Sequence, residues 1–189
     1  MISIPTTSAR WAKHVEKWQS CKRCLLCYDR DRICLARGKL PCDVLVCGEA
    51  PGESENALGL PFVGPAGREL DSWIEAAQPG GLRFAFTNVV GCFPAEAKQT
   101  GDHRPPAAAI KACRPRLIDL ISIAAPRLIV LVGDTAQKHI HEAVPRESVR
   151  LLEIVHPAAV LRAPMAQQTL MIRRATIQLS SAFQNLLDF

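Results

Sequence analysis

The sequence predicts an α/β fold, a mostly parallel sheet covered by helices on both faces. Three observations carry this. Four short apolar runs, at 44–46, 84–90, 127–132 and 149–155, are rich in β-branched residues and read as buried strands. Stretches of helical periodicity alternate with them, the pattern of a parallel sheet built from crossover units. The first and last runs break into glycine- or proline-containing loops, and in such sheets ligands bind where loops leave the carboxyl ends of strands.

The chain has 189 residues, 48% of them hydrophobic, which suits one domain over 1–189 with a proper core. No run of about 18 apolar residues occurs, so no membrane span is expected. The opening MISIPTTSARWAK lacks the features of a secretory signal, and a cytoplasmic location is the expectation. The formal charge is +5, but residues 10–39 hold nine Lys/Arg against Glu16, Asp29 and Asp31, leaving the remainder nearly neutral. That basic end fits either a solvated helical face or a phosphate-binding footprint. Eight cysteines in a reducing compartment are metal ligands or small core residues rather than disulfides.

In chain order, residues 8–19 place Trp11, Val15 and Trp18 on one helical stripe. CKRCLLCYDRDRIC follows, where Cys21 and Cys24 have metal-ligand spacing, with Cys27 and Cys34 further on. Such a pair needs two more ligands, and Cys92 and Cys113 are candidates because each flanks a loop. Zinc and iron–sulfur both remain open at this point. Cys42 and Cys47 bracket the first strand and read as core.

That strand breaks at Gly48-Glu49-Ala50-Pro51-Gly52, and its loop carries Glu49, Glu53, Glu55 and a lone Phe62 between Pro61 and Gly64. A mere connection needs neither the acids nor the aromatic, which makes this loop the leading candidate active site. Neither a phosphate-binding Gly-x-x-x-x-Gly-Lys-Ser/Thr motif nor a dinucleotide-type Gly-x-Gly-x-x-Gly follows the strand. Residues 65–77 form a helix ended by Gln78-Pro79-Gly80-Gly81, and the second strand carries Asn88 near its end. A polar loop at 93–106 leads to a helix over 107–124 bearing Cys113. After the third strand comes a short helix at 133–143, entered through Asp134 and Thr135. The fourth strand runs straight into His156-Pro157-Ala158-Ala159-Val160-Leu161-Arg162, and a final helix spans 167–187.

GEAPGESENALGLPFVGPAG, TNVV followed by Cys92, HPAAVLR and the paired Cys21 and Cys24 together resemble the iron–sulfur uracil-DNA glycosylases of family 4, in order from Cys21 to Arg162. The resemblance implies a three-layer α/β/α sandwich around a four-stranded, mostly parallel sheet. It implies a monofunctional DNA glycosylase that flips a base, by default uracil, out of DNA and hydrolyses its N-glycosidic bond. Cys21, Cys24, Cys92 and Cys113 would hold a structural [4Fe–4S] cluster in a loop region formed by 21–27 and 92–113. His156 would stabilise charge on the departing base, and Asn88 would read the base edge. Phe62 would stack on the base and Glu55 would line the pocket near its 5-position. Glu49 and backbone groups of the first loop would position the water and favour the cationic sugar, and Gly48 and Ala50 would help bind the base. Pro157, Ala158 and Arg162 would meet the DNA. DNA is the expected partner, and the chain is expected to act as a monomer.

Departures from the family pattern are Asn56 in place of the usual Asp, the small Ala159, a longer stretch between Cys92 and Cys113, and a short segment before His156. They motivate an alternative substrate, a bulkier base such as hypermodified phage cytosine, in a defence role. LLEIV before His156 lacks the basic loop of covalently trapping relatives, so turnover is expected. A further alternative is a non-catalytic metal-containing nucleic-acid-binding module.

Overall fold

The computed structural model describes residues 9–77, 80–95, 104–144 and 149–188. The expected helix start at Ser8, the Gln78-Pro79 stop and the 96–103 part of the polar loop lie outside the described residues.

One sheet has strand order β1-β3-β2-β4-β5, with β1 Arg37–Gly38, β2 Val44–Gly48, β3 Phe84–Asn88, β4 Leu128–Val132 and β5 Arg150–Ile154. The last four are parallel neighbours, as expected. A fifth strand corrects the expected count: β1 pairs antiparallel with β3 through Arg37↔Phe86. Two residues carry no periodic signal, so this edge strand is invisible in the sequence. β3 also stops at Asn88 rather than Val90. Val89 and Val90 still donate to the Gly48 and Glu49 carbonyls (2.9 and 3.0 Å), but in a bend.

The helices are α1 Ala9–Trp18, α2 Glu53–Leu58, α3 Pro65–Ala77, α4 Ala107–Ala124, α5 Asp134–His139, α6 Pro157–Arg162 and α7 Met165–Leu187. Strand side chains alternate between faces. Leu45, Ile129 and Leu131 pack with Trp18 of α1 and Leu117 and Leu120 of α4. Val46, Val130 and Val132 pack with Leu70 and Trp73 of α3 and Phe183 of α7. β2 and β4 are buried throughout, because helices cover both faces. The result is the three-layer α/β/α arrangement. Among the described residues no helix is long and apolar enough to cross a membrane.

Parallel pairing places the carboxyl ends of β2, β3 and β5 along one edge of the sheet. Glu49, Asn88 and His156, far apart in sequence, therefore belong to one region.

Candidate active site

Gly48 lies opposite Asn88 in the β2–β3 register. A Cβ on Gly48 would stand 2.5 Å from Asn88 Oδ1 and 2.5 Å from Phe62 Cζ, so only glycine lets the amide and the ring close on this point. Asn88 and Phe62 are both buried. Phe62 adopts a φ of 57°, a left-handed conformation that a non-glycine residue holds only when its surroundings impose it. Two features impose it. Gly67 inside α3 leaves room where a Cβ would collide with the Phe62 carbonyl group. The Glu55 carboxylate accepts hydrogen bonds from Val63 N (2.9 Å), Gly64 N (2.7 Å) and Gly52 N (3.1 Å). Glu55, expected at the base's edge, is thus placed beneath the loop that presents Phe62, its oxygens committed to backbone amides.

Glu49 and Ala50 follow β2 directly. Thr135 Oγ1, at the start of α5, donates a hydrogen bond to Glu49 Oε2 and orients that carboxylate. In the sequence Thr135 signals only the start of a helix.

His156 is the N-cap of α6, and its Nδ1 accepts from Ala158 N at 3.1 Å. An accepting Nδ1 carries no proton, so the ring proton sits on Nε2. Burial, helped by the charge of Arg162 and opposed by Glu55, holds the imidazole below its usual pKa. The ring is therefore a neutral Nε2–H donor. Gly133, with a φ of 84°, brings its backbone against this ring: a Cβ there would lie 3.4 Å from His156 Cδ2. Pro157 is buried at the first turn of α6, Ala158 is half-buried, and Arg162 is exposed in the last turn.

Cys21, Cys24, Cys92 and Cys113 line one pocket, together with Arg30 and Arg116. All eight cysteines are free thiols. Among the described residues no group of three or more His, Cys, Asp or Glu side chains is placed to hold a metal ion. Arg30 Nη1 donates to Cys92 Sγ (3.0 Å), while Arg116 Nε (3.2 Å) and Gly91 N (3.4 Å) donate to Cys113 Sγ. Donors of this kind stabilise sulfur as thiolate. As a neutral thiol Cys92 is pushed up to about 11, burial outweighing Arg30. A cation in the pocket would reverse that. This donor set fits an iron–sulfur cluster. Cys34 donates to the Glu55 carbonyl (3.1 Å), and Cys42 and Cys47 are in the core as expected. The contacts made by Arg116 and Arg30 went unseen in the sequence. The available signal was an arginine one helical turn after Cys113, on the buried face of α4.

Residues 36–179 match the family model of the uracil DNA glycosylase superfamily. The chain is 33% identical over 168 residues to the type-4 uracil-DNA glycosylase of Pyrobaculum aerophilum, covering 77% of this chain and 82% of that one. It is 27% identical over 176 residues to the type-4 enzyme of Archaeoglobus fulgidus, at 82% and 84% coverage. With that of Sulfurisphaera tokodaii it shares 36% identity over 124 residues, 64% of this chain and 53% of the relative. Fold, site and these matches define the class as a DNA glycosylase, a hydrolase of N-glycosyl bonds. Within that class the chain belongs to the uracil DNA glycosylase superfamily, in its type-4 branch.

Proposed function

We propose that this enzyme flips a non-canonical base, uracil by default, out of DNA and hydrolyses its N-glycosidic bond to leave an abasic site. The observation that carries the proposal is His156, half-buried and neutral with Nε2–H as its remaining donor, at the sheet edge that also presents the buried Asn88 and Phe62. As the bond to C1′ breaks, the base leaves as an anion and the sugar becomes cationic. His156 Nε2–H donates to the base oxygen on which charge develops. Asn88 reads the hydrogen-bonding edge, and Phe62 stacks on the base. The missing side chain of Gly48 and the small Ala50 let the base approach the backbone. Glu49, oriented by Thr135, favours the cationic sugar and positions the water, whose hydroxyl adds to C1′ while its proton is released. Glu55 serves this site through the loop it pins. Arg162 contacts a phosphate, and Pro157 and Ala158 press toward the duplex.

Cys21, Cys24, Cys92 and Cys113 would hold a [4Fe–4S] cluster, which supplies a covalent staple between the segment after α1 and α4. The protein acts on DNA as a monomer and turns over.

The test is a glycosylase assay on oligonucleotides carrying uracil and a panel of modified cytosines, with alkaline strand cleavage reporting abasic sites. Uracil release from brown protein with equal iron and sulfide is expected. Absence of abasic sites across the panel overturns the activity, and colourless, zinc-containing protein overturns the cluster.

A further inference from the structure

Arg116 is 1% exposed, a position that holds a charged group only when it is compensated. Its Nε donates to Cys113 Sγ (3.2 Å). Nη1 donates to the Leu35 carbonyl (3.3 Å) and Thr87 Oγ1 (3.2 Å). Nη2 donates to the Asn88 carbonyl and to the Val89 carbonyl (3.2 Å). These contacts match the five N–H donors of a guanidinium, yet none of the acceptors is a carboxylate. Among the described residues no carboxylate lies within ion-pair distance of it. The group in contact that can carry negative charge is the Cys113 sulfur, which metal binding converts to thiolate.

We infer that Arg116 is a positioning residue that takes its counter-charge from the cluster thiolates while its guanidinium fork holds the carboxyl end of β3 where Asn88 reads the base. This rests on the cluster reading above and deepens it. One side chain touches both a cluster ligand and the Asn88 backbone, so an occupied cluster fixes the base-reading strand end. Charge and shape serve different ends here. Any cation can neutralise the thiolates, whereas only a planar fork reaches Thr87, Asn88 and Val89 together.

That division makes the test specific. In purified holoprotein, the rate at which the iron chelator bathophenanthroline bleaches the visible cluster absorbance is measured for wild type, Arg116→Lys and Arg116→Gln. The kcat and KM for base release are measured alongside. Arg116→Gln should bleach on the order of tenfold faster, as loss of a partner to a metal ligand does. Arg116→Lys keeps the charge and should bleach within about threefold of wild type. Both should lose about tenfold in kcat, with KM for DNA changed less than about threefold, because neither retains the fork. Wild-type bleaching in Arg116→Gln overturns the counter-charge, and wild-type kcat in Arg116→Lys overturns the positioning. If Arg116→Gln does not accumulate folded, Arg116→Lys decides alone: a retained cluster with reduced kcat supports the inference, and normal kcat overturns it. Wild-type protein without iron and sulfide removes the cluster reading and this inference with it. Brown wild type with unaltered variants removes this inference alone.

Discussion

Protonating Nδ1 of His156 would remove the acceptor that caps α6 at Ala158, and burial opposes the same protonation. Cap and burial thus select one tautomer, the neutral ring with its proton on Nε2. Deleting the ring should remove charge stabilisation from the transition state while leaving groove contacts in place. In single-turnover release, His156→Ala is expected to lower the rate by about 100- to 1000-fold. Affinity for DNA bearing a non-cleavable base analogue should change little, and a large affinity loss with an intact rate would contradict the role. At this scale the motif alone pointed to His156, but the tautomer needed the Ala158 amide to be placed. Glu55 is the opposite case. The resemblance implied a place near the base's 5-position, and the structure adds three backbone amides that donate to its carboxylate.

The loop after β2 and the cysteine-bearing segment are tied by a pair that the sequence made look like a substrate signal. Asn56 Nδ2 donates to Asp31 Oδ2 at 2.8 Å, and Asp31 N donates to Asn56 Oδ1 at 2.9 Å. Asn56 is buried, and an aspartate there would lose its donor and face a second carboxylate. The departure from the family pattern is therefore matched to Asp31. Asn56→Asp is expected to destabilise the protein by about 1–3 kcal/mol at neutral pH, read by urea unfolding, with base preference unchanged. A switched preference without a stability loss would return Asn56 to the base pocket. Element positions were largely legible because apolar period and β-branched runs are local signals. The ends were less so: β3 bends away after Asn88, and α7 begins at Met165, two residues before the expected start.

Across the whole molecule, the sheet order brings three strand ends together, and the helices on one face also bury a histidine that plays no part in that site. His14 stacks on Trp11 (ring centroids 5.3 Å apart), and neither ring nitrogen has a partner among the described residues. Burial, then Arg116, with Lys17 adding and Asp119 opposing, pulls it from 6.5 to about 4. The folded chain keeps His14 neutral while the unfolded chain protonates it near 6.5. Its share of stability is therefore complete above about pH 6.5 and is lost as pH falls toward about 4, a loss on the order of 3 kcal/mol. Urea midpoints measured from pH 7.5 to 4.5 should fall for wild type and fall less for His14→Phe. An identical acid slope in the variant would rule His14 out. The lowered pKa of His156 acts with the same sign.

The sequence by itself determined the fold class, the reaction class and the candidate thiols, since each is written in a local period or a short motif. Tertiary structure decided which groups those motifs meet. Asn56 finds Asp31 25 positions away, Arg116 finds Asn88 28 away and Thr135 finds Glu49 86 away. Spacing along one helix or strand foretells neighbours only within that element. Contacts between elements depend on sheet order, on the two-residue edge strand and on where a buried guanidinium finds its charge, and these exist only once the layers have packed.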